Sequence, residues 1–336
     1  MKKITILGTG QMGLVLADAL VARGVEDVVI WGAFAESVSN LEQTRASPRL
    51  PGFVLPAGVS VTGDGPKALA GCDAVVNAIP AQFIRSVWHR FGEHLADDVP
   101  VICVSKGIEV ETLEAPMQVL AEVNGRGRAE QGFCVLSGPT IAAELARRQP
   151  ATMLAASTDA ALARQVQDLF DVPWLRVYTS DDPTGVELAG AVKNVIALAA
   201  GMVDGLELGN NAKSALLARG LAEIVRLGMA MGARQDTFFG VAGVGDLATT
   251  CFSPEGRNRR CGEAIGRGAT LDEALATITS VVEGVETTRA IVRLAERYHV
   301  ELPIVQAVHA ILFKSLSPRT AIKQLMQRTQ KPERIG

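Results

Sequence analysis

The sequence is poor in the residues that most often carry acid–base and metal chemistry. It contains only four histidines, and no cluster of His, Cys and Asp has the spacing of zinc ligands. Its five cysteines are odd in number and form no Cys-x-x-Cys pair, while Cys103 and Cys134 lie in apolar runs typical of buried strands. We therefore expect free thiols in a reducing compartment, no metal site, and catalysis that does not depend mainly on histidine.

The sequence also has no excess of positively charged residues. The chain has 33 Lys and Arg against 36 Asp and Glu, which gives a formal net charge of -3. A nucleic-acid-binding domain is usually basic overall, so we expect no nucleic-acid partner. The apolar fraction of 48% and the length of 336 residues are sufficient for two domains with sizeable cores.

Long apolar runs are a third absence. No stretch reads as long and apolar enough to span a bilayer, so we expect no membrane insertion. Residues 1–20 resemble a secretory signal, but three glycines, Gln11 and Asp18 interrupt the apolar run, and no small-x-small cleavage site follows cleanly. These features predict a cytoplasmic protein.

The first half of the chain alternates short β-rich runs with helical runs. This alternation predicts an α/β domain of Rossmann type with a mostly parallel, doubly wound sheet over residues 1–182. The predicted strands are Lys3–Leu7, Val28–Trp31, Ala74–Ile79, Val101–Ser105, Phe133–Ser137 and Thr152–Ala156.

Strand signals vanish after about Asp182, and long helical runs follow. We therefore expect an all-helical substrate and catalytic domain over residues 183–336. The predicted helical runs are 184–204, 212–231, 257–266, 283–299 and 303–314.

The first predicted strand runs directly into a glycine-rich turn, Gly8-x-Gly10-x-x-Gly13, and a helix follows. Gly8 permits the tight turn, Gly10 lets the backbone approach a pyrophosphate, and Gly13 lets helix and strand pack closely. The helix N-terminus supplies amide donors to the phosphates. The motif predicts a dinucleotide site in which Gln11 and Met12 are further candidate contacts; the alternative is a glycine-rich turn in another α/β protein.

The end of the second predicted strand is expected to distinguish NAD from NADP, but it carries neither diagnostic residue. Gly32, Ala33 and Phe34 stand where an acidic residue would accept from the ribose 2′-hydroxyl or an arginine would meet a 2′-phosphate. Ala33 is a candidate cofactor contact by position alone. Glu36, Arg45 or Arg49 could fold back towards it, so NADH and NADPH both stay open.

Three further strand ends carry candidate ligand contacts, because ligands of doubly wound sheets bind beyond the carboxyl ends of the strands. Pro80 ends one strand and Lys106 follows the next; Lys106 could meet an anionic or carbonyl substrate, or be a surface lysine in a loop. Gly138 makes a turn after a third strand. Thr140 then either donates to a ligand or caps the following helix.

The helical run "GVELAGAVKNVIALAAG" places one lysine, Lys193, in an apolar helix. A lysine there either extends its ammonium to water or serves as a buried acid–base group whose pKa is lowered by burial. Asp246 follows a glycine-rich turn. It either caps a helix or pairs with such a lysine and holds it in position.

A basic run, Arg257-Asn258-Arg259-Arg260, begins a predicted helix just after Pro254 and Gly256. Such a run is usually a solvated face. At a helix N-terminus, however, Arg257 and Asn258 are well placed to bind phosphate together with the backbone amides and the helix dipole.

Taken together, these motifs resemble those of the bacterial-type NAD(P)-dependent glycerol-3-phosphate dehydrogenases. They occur in the family's order over nearly the whole chain, and as a set they are highly specific. The matching stretches are "ILGTGQMG", "SKGIE", "SGPTIAAELA", "GVELAGAVKNVIALAAGM", "NAKSALLARGLAEI", "GVAGVGDLATTC", "GRNRRCG" and "VVEGVETT".

The resemblance implies a role for most of these residues. Lys193 would be the general acid and base, with Lys106 touching cofactor and substrate and Asp246 as a catalytic partner. The glycerol-phosphate site would be lined by Gly138, Thr140, Asp246, Gly256, Arg257 and Asn258. Further cofactor contacts would come from Pro80, Ala142, Val281 and Glu283, with Arg257 shared between the two ligands.

Three positions depart from the family pattern. Gln11 and Met12 replace the usual serine and aromatic residue of the turn, which we expect to matter little. Ala33 stands where His or Arg is common, so NADP preference is not implied. Gly256 replaces a usual serine, which could remove one substrate contact and weaken phosphate binding.

The resemblance implies the reversible reduction of dihydroxyacetone phosphate to sn-glycerol 3-phosphate by NADH or NADPH, without a metal. It also implies supply of glycerol 3-phosphate for phospholipid synthesis. We expect a homodimer. The alternatives are a related two-domain dehydrogenase for a hydroxy acid, an opine or a 2-dehydropantoate-like substrate, and a dinucleotide-binding regulator without turnover.

Overall fold

The chain forms two compact units in the computed structural model, which describes residues 1–125, 132–330 and 332–333. Unit 1 comprises Met1–Ser105 and Pro116–Pro183, and unit 2 comprises Lys106–Ala115 and Thr184–Gly336. The segment Lys106–Ala115, which we call the strap, therefore groups with the helical residues rather than with its sequence neighbours. The division of the chain into domains 1–182 and 183–336 stays a prediction.

Unit 1 is built on an eight-stranded sheet with the order β3-β2-β1-β4-β5-β6-β7-β8. Neighbouring strands are parallel except for β6 and β7, so the predicted mostly parallel sheet is confirmed. The strands are β1 (Lys3–Leu7), β2 (Asp27–Trp31), β3 (Val59–Thr62), β4 (Ala74–Asn77), β5 (Val101–Cys103), β6 (Phe133–Ser137), β7 (Ala151–Ala156) and β8 (Leu175–Ser180).

Two strands were not predicted, and both lie at the edges of the sheet. In β3 and β8 buried and exposed residues alternate, as in "VSVT" and "LRVYTS". Interior parallel strands are apolar on both faces, whereas an edge strand keeps polar side chains. The continuous apolar runs that revealed the inner strands are therefore missing from these two.

Helices cover both faces of the sheet. One face packs against α1 and α7 through residues such as Ile6 and Val76, and the other packs against α4 and α5 through residues such as Val75 and Trp88. The helices of unit 1 are α1 (Gln11–Arg23), α2 (Ala35–Thr44), α3 (Gly65–Leu69), α4 (Ile84–Phe91), α5 (Pro116–Val123), α6 (Ala142–Ala146) and α7 (Ala160–Phe170).

A buried polar network fixes the carboxyl ends of β4 and β5. The Asn77 amide donates to Ser105 Oγ at 2.9 Å and accepts from Trp88 Nε1 at 2.9 Å. Ser105 Oγ in turn donates to the carbonyl of Ile79 at 2.5 Å. Because buried polar groups are stable only when they are hydrogen-bonded, this network holds the loop that carries Pro80.

The regular elements described in unit 2 are helices, as predicted. The five predicted helical runs appear as α8, α9, α12, α14 and α15. The helices are α8 (Pro183–Gly205), α9 (Gly209–Ala230), α10 (Gln235–Phe239), α11 (Asp246–Phe252), α12 (Arg257–Gly266), α13 (Leu271–Ala276), α14 (Glu283–Arg297), α15 (Pro303–Phe313) and α16 (Pro318–Met326).

Helix α8 forms the centre of the core of unit 2. By length and composition it could cross a membrane, so the expectation that no stretch is long and apolar enough is wrong. Its most apolar window is 100% buried inside the structure. A helix that is apolar on all sides is typical of the middle of a protein core as well as of a membrane span.

Helices α8 and α12 approach so closely that their backbones touch through glycines. A Cβ atom on Gly262 would lie 1.9 Å from the carbonyl oxygen of Leu198, and one on Gly201 would lie 1.9 Å from that of Arg259. The same packing brings Asn194 of α8 against Asn258 of α12, at 3.0 Å. The glycines therefore set the spacing between the middle of α8, where Asn194 lies, and the N-terminal end of α12.

We predict that Gly262→Ala lowers the free energy of unfolding by about 2 kcal/mol or more, because its methyl group must push a backbone carbonyl aside. Urea denaturation measures the change. Gly240→Ala is the control, since its Cβ would lie 3.5 Å from the nearest carbonyl and is expected to change stability by less than about 0.5 kcal/mol. Equal stability of the two variants would contradict the close packing.

Candidate active site

Two lysines and one aspartate form a buried ionic cluster in unit 2. Lys193 Nζ lies 2.5 Å from Asp246 Oδ1, and Lys106 Nζ lies 2.7 Å from Asp246 Oδ2. The side chains of Lys193 and Asp246 are 8% and 2% exposed, and that of Lys106 is 17% exposed. The two ammonium groups thus share one carboxylate, and the cluster keeps a net positive charge.

Thr250 completes the surroundings of the Lys193 ammonium. It lies one helical turn after Asp246 on α11, which places both side chains on the same face. Its Oγ1 accepts from Lys193 Nζ at 2.8 Å and donates to the carbonyl of Asp246 at 2.7 Å. Within the described part of the chain, Asp246 and Thr250 take two N–H groups of Lys193, which leaves the third for a bound oxygen.

Burial lowers the pKa of Lys193 to about 8, and repulsion from Lys106 acts in the same direction. Attraction to Asp246 opposes both effects. A lysine with a pKa near neutrality can both release and accept a proton under ordinary conditions. The cluster is therefore suited to protonating an oxygen on which negative charge develops.

These contacts exclude the purely structural alternatives that the sequence left open, while the catalytic and binding roles stay predictions. Lys193 does not extend to water. Asp246 is not a helix cap: it is the first residue of α11, Gly245 is the N-cap, and the carboxylate accepts from two lysines. Lys106 is not an exposed loop lysine.

A second polar cluster joins α8, α12 and α14. Asn258 donates to Asn194 Oδ1 at 3.0 Å and accepts from the backbone N–H of Gly284 at 2.9 Å. Asn194 also donates to Glu283, the first residue of α14, at 3.5 Å. Burial raises the pKa of Glu283, and the charges of Arg257, Lys106 and Lys193 oppose that rise.

The N-terminus of α12 begins at Arg257, as predicted. Gly256 is its N-cap and has no side chain with which to cap the first amide N–H groups. The exposed Arg257 donates to the carbonyl of Val281 at 3.1 Å, which brings these two residues together. Uncapped amides, the helix dipole and a guanidinium are a typical phosphate-binding combination.

Gly256 also fits its surroundings closely. A Cβ atom there would lie 3.2 Å from the carbonyl oxygen of Thr250 and 3.3 Å from that of Ser253. A serine at this position would therefore need a small shift of the loop. With glycine, the N-terminus of α12 can lie close to the carbonyl groups at the end of α11.

The glycine-rich turn of unit 1 fits a dinucleotide. Gly8 has a φ of +127°, and a Cβ there would lie 2.8 Å from the carbonyl oxygen of Ala78. A Cβ on Gly13 would lie 2.4 Å from the carbonyl oxygen of Gly8, whereas one on Gly10 would meet no described atom within 4 Å. Gly8 and Gly13 make the turn compact, and Gly10 leaves the N-terminus of α1 open to a phosphate.

The other cofactor candidates of unit 1 lie near strand and helix ends. Gln11 begins α1 and its amide donates to the carbonyl of Arg49, while Met12 packs on the core. Ala33 is exposed just after β2 and Pro80 precedes a 3₁₀ turn. The Arg45 guanidinium donates to the carbonyls of Leu55, Pro56 and Val59, so its contacts are within its own loop.

Gly138 and Thr140 follow β6 in unit 1. Gly138 has a φ of +154°. Thr140 donates to the carbonyl of Gly138 at 3.2 Å, and the N-cap of α6 is Ile141, so the proposed capping role of Thr140 is wrong. Ala142 is the first residue of α6. Their contacts with ligands stay predictions.

Sequence reasoning missed two polar residues of the site, Asn194 and Thr250. Asn194 directly follows Lys193, and Thr250 lies four residues after Asp246, so helical spacing was the available signal. The five cysteines are free thiols, as expected, and all five are buried. Within residues 1–125, 132–330 and 332–333, no group of three or more His, Cys, Asp and Glu could hold a metal ion.

Family models match both halves of the chain. The model described as NAD-dependent glycerol-3-phosphate dehydrogenase N-terminus matches residues 3–163, and the corresponding C-terminus model matches residues 182–323. A glycerol-3-phosphate dehydrogenase (NAD(P)+) of Pelotomaculum thermopropionicum is 46% identical over 97% of this chain and 93% of its own length.

Solved structures of other proteins also resemble this chain. Glycerol-3-phosphate dehydrogenase of Coxiella burnetii matches with a TM-score of 0.93 and 32% identity, covering 97% of this chain and 99% of its own. A ketopantoate reductase of Ralstonia eutropha matches with a TM-score of 0.58 and 18% identity, covering 96% of this chain and 99% of its own. The second likeness concerns the fold alone.

We predict that Asp246→Asn lowers the pKa of Lys193 further below about 8, because the variant removes the attraction that opposes burial and Lys106. Nuclear magnetic resonance of protein labelled with [ε-¹³C]lysine, recorded across pH, measures the midpoint. The Lys193→Arg spectrum assigns the signal. The exposed Asp236→Asn substitution on α10 is the control and leaves the midpoint in place; a higher midpoint in Asp246→Asn would contradict the cluster.

Proposed function

Because the chain belongs to the NAD-dependent glycerol-3-phosphate dehydrogenase family, we propose that Lys193 is its general acid and base. The reaction is the reversible reduction of dihydroxyacetone phosphate to sn-glycerol 3-phosphate with NADH or NADPH. One observation carries the assignment: a buried ammonium with a pKa of about 8, held between Asp246 and Thr250.

Lys193 donates a proton to the C2 oxygen of the substrate in the reduction and accepts it in the reverse reaction. When bound, the reduced nicotinamide supplies the hydride for C2. Negative charge then develops on the C2 oxygen, and Lys193 Nζ donates a proton to that oxygen. In the reverse direction the neutral amine accepts the hydroxyl proton. Asp246 and Thr250 orient the nitrogen, so its third N–H is directed by two fixed contacts.

Lys106 and Asp246 set the charge around this proton transfer. The Lys106 ammonium adds positive charge for an anionic substrate and for the developing alkoxide, and it helps to keep the pKa of Lys193 low. Asp246 holds the two ammonium groups near each other, but its single negative charge balances only one of their two positive charges. We therefore propose that Lys106 contacts the substrate and the cofactor, and that Asp246 positions the two lysines and contacts the substrate.

The phosphate group of the substrate is proposed to bind at the N-terminus of α12. Arg257 supplies a guanidinium, Asn258 supplies an amide, and the helix supplies backbone N–H groups beyond Gly256. Gly138 and Thr140 are further proposed substrate contacts, by family resemblance.

The dinucleotide is proposed to bind at the turn formed by Gly8, Gly10 and Gly13, with its phosphates on the N-terminus of α1. The choice between NADH and NADPH stays open, because Ala33 carries neither an acidic nor a basic side chain. Further proposed contacts are Gln11, Met12, Ala33, Pro80, Lys106, Ala142, Arg257, Val281 and Glu283.

The cellular role is proposed by family resemblance alone. It is the cytoplasmic supply of glycerol 3-phosphate for phospholipid synthesis, carried out by a homodimer without membrane insertion. The rival dehydrogenase for a hydroxy acid, an opine or a 2-dehydropantoate-like substrate does not require the phosphate arrangement of Arg257 and Asn258. A regulator without turnover gives no reason for Lys193.

The first test is an absorbance assay with dihydroxyacetone phosphate and NADH or NADPH, run on the wild type, Lys193→Ala and the exposed Lys323→Ala. We expect wild-type turnover that falls as the pH rises through about 8, since the reduction needs protonated Lys193. Lys193→Ala is expected to lose roughly 10²- to 10⁴-fold in kcat with the fold intact, while Lys323→Ala keeps full activity. Near-normal turnover of Lys193→Ala would remove the general-acid assignment, and no wild-type turnover would remove the function.

Arg257→Ala is expected to raise the KM for dihydroxyacetone phosphate roughly 10- to 100-fold, because a charge-assisted contact with phosphate is lost. Its kcat is expected to change less. Steady-state kinetics measure both, with the exposed Arg260→Ala on the same helix as the control. An unchanged KM in Arg257→Ala would place the phosphate elsewhere.

A further inference from the structure

The strap carries Lys106 into unit 2 and is anchored there by apolar side chains. Ile108 and Leu113 are 1% and 5% exposed and belong to the hydrophobic core formed by the helices of unit 2. Val110 and Ala115 pack against the same core. Lys106 is thus the first residue of a segment whose own anchors lie among the helices that bear Lys193 and Asp246.

Hydrogen bonds close the strap into a compact loop. The backbone N–H of Glu109 donates to the carbonyl of Glu114 at 2.9 Å, and that of Leu113 donates to the carbonyl of Glu109 at 2.9 Å. Thr112 Oγ1 donates to the Glu109 carboxylate at 2.6 Å. Leu113 adopts a left-handed backbone with a φ of +67°, which its burial in the core maintains. These internal contacts make the strap rigid, so its residues are expected to move together.

Helix α14 holds this loop from outside the core. The guanidinium of Arg293, an exposed residue of α14, donates to the backbone carbonyl of Val110. Arg293 touches neither the ionic cluster nor the phosphate-binding residues in any contact described above. The same helix begins at Glu283, so α14 contacts the second polar cluster at its N-terminal end and the strap through Arg293.

We propose that Arg293 and Leu113 are positioning residues of the reaction: they fix the strap to unit 2, and the strap holds the Lys106 ammonium on Asp246. The proposal rests on the proposed function of Lys193 and Lys106. It means that the two ammonium groups and their shared carboxylate are assembled within a single unit. The alternative is that the end of β5 alone places Lys106.

Loosening the strap has a directional consequence for Lys193. Lys106 repels the Lys193 ammonium and lowers its pKa, so displacement of Lys106 raises that pKa. Asp246, relieved of one ammonium, then attracts Lys193 more strongly, which acts in the same direction. Among the residues that the structure describes, Glu283 on α14 and Cys251 on α11 also interact electrostatically with Lys193.

The experiment compares Arg293→Gln with the conservative Arg293→Lys and with Arg297→Gln, an exposed arginine one turn along the same helix. The Lys193 midpoint is measured by resonance of [ε-¹³C]lysine across pH, which requires no turnover. In Arg293→Gln we expect this midpoint at higher pH. We also expect kcat/KM for dihydroxyacetone phosphate to fall roughly 3- to 10-fold, the usual effect of one lost hydrogen bond.

Arg293→Lys keeps a donor for the Val110 carbonyl and is expected to recover most of both effects, while Arg297→Gln behaves as wild type. Leu113→Ala, compared with Leu113→Met, tests the apolar anchor in the same way. Thermal unfolding of every variant separates loss of fold from loss of position.

An unchanged Lys193 midpoint in Arg293→Gln overturns the proposal, even if the variant is less stable, because a merely structural residue would not move that titration. Equal behaviour of Arg293→Gln and Arg297→Gln also overturns it. A moved midpoint in a protein that does not reduce dihydroxyacetone phosphate would support the positioning role and remove the proposed function, so the two failures are distinguishable.

Discussion

The shared carboxylate of Asp246 is the contact on which the site depends. It lies within 2.7 Å of two ammonium groups, and its side chain is almost completely buried. Without it, two like charges would lie close together in a low-dielectric interior, which is strongly unfavourable. With it, Lys193 stays in the core with a pKa of about 8, low enough for proton transfer. The carboxylate thus allows a charged ammonium group to lie in an apolar surrounding that lowers its pKa.

The packing of α8 and α12 places the second part of the site. Because Gly201 and Gly262 lie directly against carbonyl groups of the opposite helix, the two backbones touch, and larger residues would separate them. This contact puts Asn194, the residue after Lys193, beside Asn258, the residue after Arg257. Close packing of this kind resists deformation, so the spacing between Lys193 on α8 and Arg257 on α12 is held by backbone contact rather than by flexible side chains.

The strap shows that proximity along the chain does not decide which unit holds a residue. Lys106 directly follows Ser105, which bonds to the end of β4, yet it groups with the helices of unit 2. Apolar anchoring by Ile108 and Leu113 outweighs chain connectivity, because burial of two large aliphatic side chains contributes several kcal/mol. Lys193, Lys106 and the carboxylate that they share therefore lie in the same unit.

The sequence alone determined the features that follow from local pattern: the inner strands, the long helices, the glycine-rich turn, the start of α12 and, through its motifs, the family. Local pattern was insufficient for β3 and β8, whose alternating polar residues reflect their position at the sheet edge. It predicted α8 but could not decide its surroundings, since an apolar helix can have the same composition in a protein core as in a membrane. Only the tertiary structure decided that Asp246 pairs with two lysines rather than capping a helix, that Thr250 and Asn194 join the site, and that Lys106 belongs to unit 2. These outcomes depend on contacts between residues far apart in the chain, and the spacing of a single sequence carries no information about such distances.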